Sequence, residues 1–203
     1  MAKKKKLPKG QINKTKINLK RFQNLMKDLD RDVSVKVGII GEQGSKKHPD
    51  SDLTMADLGA IHEFGAIIKA TDKLRGFFYH HFGIQKSKDP IVIPARSFLR
   101  ASLLTKEGKK VLRKAVGDQL STDREFNKAV GEADSNLLTD IANILGLTAI
   151  KRVQEAFASS GFGQWAPITE FTKQHRIGDP DNPPLDSTGD LKDSVWYEVK
   201  EKK

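Results

Sequence analysis

The 203-residue chain contains no cysteine, which excludes disulfides and zinc sites of the cysteine type. No run approaches the roughly 18 apolar residues of a membrane span, and the lysine-rich start lacks a signal-peptide apolar region. The expectation is a soluble protein made in a reducing compartment, with no membrane partner. Hydrophobic residues are scarce too: their 37% share is below the globular average, and the 31% charged share is above it. That balance suggests a thin core, extended arms, or surface buried only in an assembly. The length suits one ordinary domain, or one domain plus arms. Acidic residues are missing from the first 21 positions, which carry nine basic ones: Lys3, Lys4, Lys5, Lys6, Lys9, Lys14, Lys16, Lys20 and Arg21. Those nine of the net +10 leave only +1 for residues 22–203. The arm is a polycation suited to nucleic acid or an acidic protein surface; the plainer reading is a solvated tail.

Hydropathy patterning organises the rest. Leu19, Phe22, Leu25, Met26 and Leu29 recur at helical spacing. "VSVKVGIIG" alternates, with Val33, Val35, Val37 and Ile39 on one side, and is the strongest strand signal in the chain. A polar loop, "GEQGSKKHPDSD", follows. Thr54 with Asp57 forms a capping-box pattern before a short helix that Gly65 stops. Residues 67–93 are apolar and aromatic around "QKSKDP" and predict a β-hairpin or projecting β-loop that Pro94 ends. One long helix is expected from Ser97 to about Leu120, weakened at Gly108, where a bend is expected. A second spans about Ser135 to Phe157, then a long polar loop leads into a strand at "SVWYEV". No internal repeat is present. Because strands do not alternate regularly with helices, the expected fold is α+β: a small antiparallel or mixed sheet packed by two long helices. Residues 1–18 form the basic arm and 19–203 a single domain.

Chemistry is hard to find. "IHEFG" is not HExxH, since residue 66 is alanine, so His62 reads as a packing residue. His80 and His81, if in a strand, point to opposite faces. "DPDNPPLD" lacks the glycine and distal glutamate of an EF-hand loop. "GIIGEQGS" has the wrong spacing for a dinucleotide. A metal-dependent enzyme built on His80, His81 and the aspartates is the weakest reading. The expectation is no enzyme: no catalytic, cofactor-binding or metal-ligating residue.

Four segments nevertheless stand out together. "LGAIHEFG", "IPARSFLR", the Trp165 to Thr169 stretch "WAPIT", and "PLDSTGDLKDSV" come in that order. Each alone is weak, but as a set the chain resembles the bacteriophage tail-completion family, also called virion morphogenesis or head-to-tail joining proteins. The resemblance spans residues 33–199. It implies a small α+β subunit in a homo-oligomeric ring at the phage neck, assembled in the host cytoplasm. Its partners there are the head connector or head-completion protein and the tail tube or tail terminator, with DNA in the channel. Matching positions are Ile61, His62, Phe64 and Gly65; Pro94, Ala95, Arg96 and Phe98; Trp165; and Leu185, Gly189 and Leu191. The resemblance implies fold and packing roles for all of them, and no cofactor. Ser97 stands where the family commonly has proline, a mild change at a helix start. The arm and the 67–93 segment look like elaborations. The alternative function is a nucleic-acid-binding module acting through the arm.

Overall fold

The computed structural model describes residues 23, 26–28, 30–49, 51–83, 85, 88–121 and 137–202. The basic arm, and most of the helix expected over 19–29, lie outside these; Gln23 and Met26 to Asp28 are helical. The architecture is α+β. In chain order it runs β1 (Asp32–Gly38), α1 (Gly41–Ser45), α2 (Met55–Phe64), β2 (Ala66–Ile68), α3 (Asp72–Phe82) and β3 (Ile91–Ile93). It continues with α4 (Leu99–Leu103), α5 (Lys106–Ser121), α6 (Leu137–Ala158), α7 (Glu170–His175), α8 (Asp190–Asp193) and β4 (Trp196–Lys202). The strands form two separate pairs, β1 with β4 and β2 with β3.

Among the described residues, those within Met1–Lys36, Lys110–Thr148 and Tyr197–Lys203 form one compact unit, and those within Val37–Lys109 and Ala149–Trp196 the other. In the first, Val33 and Val35 are half-buried while Ser34 and Lys36 face solvent, as the alternation predicts. Arg31 is held between Asp28 (2.5 Å) and Glu201 (3.2 Å). Tyr197 lies so close to α6 that a Cβ on Gly146 would overlap its ring. Its hydroxyl bonds Asn143 Oδ1 at 3.3 Å.

The second unit holds the larger core. Phe98, Val153, Ala156 and Phe157 are fully or almost fully buried, joined by Met55, Trp165, Leu185, Leu191 and Val195. Phe157 stacks against Phe98 at 5.1 Å and Trp165 at 5.8 Å between centroids. The capping box that starts α2 is complete: Thr54 Oγ1 accepts from Asp57 N, and Asp57 accepts from Thr54 N. Gly65 stops the helix at φ 77°, a conformation that favours glycine. After α6, four successive residues, Ser160 to Gly163, adopt positive φ. This left-handed turn drops Trp165 into the core, and a Cβ on Gly161 would overlap its indole. The segment 161–194, expected as a long polar loop, carries the short helices α7 and α8, and Trp165 and Leu185 anchor it in the core.

Three expectations need correction. Residues 67–93 are not β throughout. β2 and β3 do pair antiparallel, Ala66 with Ile93 and Ile68 with Ile91, but the "FFYHHF" run between them is helix α3. Local caps override aromatic β-propensity there: Thr71 Oγ1 accepts Leu74 N–H, and Gly83 closes the end in the left-handed region. His80 and His81 are therefore successive exposed residues of a helical last turn, not opposite faces of a strand. The helix expected over 97–120 is broken into α4 and α5. The break falls at Leu104 and Thr105 rather than at Gly108, because Thr105 Oγ1 accepts Gly108 N–H and restarts the helix. Finally, the start of the polar loop, "GEQGS", is the short helix α1.

Candidate functional site

The first three of the four sequence segments meet in one buried junction, and Glu63 is its centre. Glu63 ends α2 on its inner side and is only 3% exposed. Its carboxylate accepts from Ser97 Oγ (2.7 Å), Phe98 N (2.8 Å), Leu99 N (2.9 Å), Arg100 N (3.0 Å) and Arg100 Nε (2.9 Å). Three of these are the free N–H groups at the start of α4, whose own N-cap side chain supplies no bond. A residue from another helix therefore does the capping. Burial pushes the Glu63 carboxyl up, but the bonds from Leu99, Ser97 and Arg100 outweigh it and hold its pKa below the ordinary value.

Arg96 ties the next segment in. It is 7% exposed. Its Nε donates to Ala166 O (3.0 Å) and its Nη2 to Pro167 O (3.2 Å). Arg96 N donates to His62 O at 2.7 Å, and Trp165 Nε1 donates to Ser97 O at 3.1 Å. Desolvation lowers the Arg96 pKa, and desolvation with the Arg96 charge lowers that of His62. His62 Nδ1 is buried without a hydrogen-bond partner.

The Ser97–Glu63 contact has the form of a nucleophile and its base, but it cannot act as one. The carboxylate's acceptor positions are saturated by five donors, and a lowered pKa makes it a poor base. Ser97 Oγ also accepts Ala101 N–H. The chemistry of this junction is hydrogen-bonded support. No family model matches the chain, and no curated protein or solved structure matches it.

The motif positions are not all alike. Phe98, Trp165, Leu185, Leu191 and Arg96 are buried; Ile61, His62, Gly65, Pro94 and Gly189 are half-buried; Ala95 is exposed. Phe64, expected to pack, is 66% exposed. It closes α2 on the solvent side of Glu63, and its ring lies 4.6 Å below the Arg100 guanidinium. Gly65 is required for close approach as well as for its φ, since a Cβ there would come within 2.9 Å of Ile93 O and Ala95 N. Leu185, Gly189 and Leu191 line a cavity of about 210 Å³ with His48 and His62. The sequence reading missed Glu63. The only local sign is an acid facing inward at the end of a helix, and its donors lie 34 to 37 residues away. Among the described residues, no three histidines or acids gather where a metal ion would sit. No described helix is long and apolar enough to cross a membrane.

Proposed function

We propose that this chain is a structural subunit of a tailed-phage neck, forming a ring that completes the tail and joins it to the head connector. It is not an enzyme. The observation that carries the reading is the junction itself: Glu63, Arg96, Ser97 and Trp165 of "IHEFG", "PARSFLR" and "WAPIT" spend their polar groups on one another and on backbone. A part selected for shape rather than turnover needs that rigidity. Apolar side chains left in solvent, among them Phe64, Ile67 (76% exposed) and Val92 (64% exposed), suit a subunit that completes its burial against neighbours. Light scattering and negative-stain imaging of the purified protein, alone and mixed with connector and tail-tube proteins, test this. A closed ring or a stable complex with either partner is expected; strict monomers that bind neither rule it out.

The second reading, a nucleic-acid-binding module, rests on the nine basic residues before Phe22. In the neck reading the same arm touches an acidic patch of an adjoining ring, with Leu7, Ile12, Ile17 and Leu19 as apolar anchors between the charges, or channel DNA. Deleting residues 2–16 leaves the body folded and weakens attachment to its neighbours. Normal yields of infectious particles from the truncated protein would reduce the arm to a solubility tail. DNA binding that survives high salt would exclude a pure phosphate contact.

A further inference from the structure

A groove of the second unit holds about 530 Å³, within the range of ligand-sized sites. Six consecutive residues, 89–94, line one wall. Side chains alternate across a strand, so a wall on one face of β3 would show Val92 alone or Ile91 with Ile93; all three line the groove, as they would along an edge. β3 pairs only with β2, and its outer edge meets no other strand among the described residues. Pro167, Ile168 and Thr169 belong to the groove's lining too.

Arg96 and His62 also line this groove. Among the described residues no carboxylate pairs with Arg96; its guanidinium bonds only carbonyl oxygens. A buried cation without a counter-ion is costly. The one acid lining the groove, Asp89, is exposed and already engaged. We propose that this groove docks an extended, acid-bearing segment of a partner protein, which adds as a strand to the outer edge of β3 and sets its carboxylate against Arg96. Main-chain bonds supply affinity in such additions and side-chain pockets supply selectivity. Here the guanidinium supplies the charge match. The inference is independent of the neck assignment, since it needs only the strand edge and the uncompensated arginine.

The test uses the full chain and fluorescein-labelled, acetylated nonapeptides of alternating threonine and valine, with glutamate at position four, five or six. The expected result is saturable binding of at least one peptide, about tenfold weaker when glutamine replaces its glutamate. Amide shifts in nuclear magnetic resonance should centre on Ile91 to Ile93. Arg96→Gln should erase the preference for glutamate. Because Arg96 also supports Ala166 and Pro167, Val92→Glu at an exposed β3 position is the second variant and should weaken the glutamate peptide about tenfold by repulsion. Equal binding of glutamate and glutamine peptides overturns the proposal, as does binding of neither, or shifts away from β3. Free acetate that displaces the peptide at equal concentration also overturns it, by making the site one for small carboxylates.

Discussion

Replacing Glu63 by glutamine keeps the shape of the side chain and removes its charge, so it isolates what the carboxylate does. Five donors converge on two oxygens. The Arg100 side chain is 50% exposed, so its share is screened and counts for little. Four donors remain: Ser97 Oγ and the N–H groups of Phe98, Leu99 and Arg100. Glutamine has one acceptor oxygen. Placed as Oε2 it keeps Phe98 and Leu99; placed as Oε1 it keeps Ser97 and Arg100. In the first placement the Ser97 hydroxyl can turn to accept from the new amide, so only the Arg100 N–H loses its partner. At about 1.5–3 kcal/mol for a bond to a charged group, the loss is about 1.5–3 kcal/mol. That is a sizeable share of the roughly 5–15 kcal/mol that holds an ordinary domain together. Urea unfolding followed by tryptophan fluorescence measures it. The acid limb gives an independent check. Because the folded pKa lies below the ordinary value of 4.5, the contribution is complete above that value and is lost as pH falls through the folded pKa. Glu63→Gln should lack this limb. A loss under about 1 kcal/mol, with the acid limb intact, would refute the view that Glu63 caps α4.

Trp165→Ala should cost about 3–5 kcal/mol, since the indole is 9% exposed and holds Ser97 O; an unchanged melting temperature would remove the anchor from loop 161–194. Gly108→Ala should destabilise, although helix propensity alone favours it by about 1 kcal/mol, because the new Cβ would overlap Ser102 O; thermal melts decide the sign. Stability should fall as pH drops below about 6.5, where the unfolded chain protonates His62 but the folded chain resists. The His62→Gln variant should show a flatter profile between about pH 5 and 7 in the same melts.

What could be read from sequence was what neighbours in the chain decide. Thr54 and Asp57 form a local cap three residues apart, and both bonds are present. The stripe of Leu138, Ile141, Leu145, Ala149 and Val153 predicts α6 to within a residue or two of its ends. Helix α3 was hidden because Phe77, Phe78 and Tyr79 favour strands, whereas its true signals are single residues at its ends, Thr71 and Gly83. The break before α5 has the same origin: Thr105 decides it, not the glycine three positions on. Glu63 was out of reach for a different reason. Its role exists only once "PARSFLR" is folded against α2, and no local pattern announces a cap borrowed from another element.

The prolines on either side of β3 bear on how the protein behaves in concentrated solution. Pro90 and Pro94 bracket a strand of three residues, Ile91–Ile93, and neither can donate to a ladder. A bare strand edge beside exposed Ile67 and Val92 is the kind of surface that recruits copies of itself into fibres. The ladder here runs out after three residues, too short to propagate. A short edge bounded by prolines can stay open to a partner while giving further copies little ladder to extend.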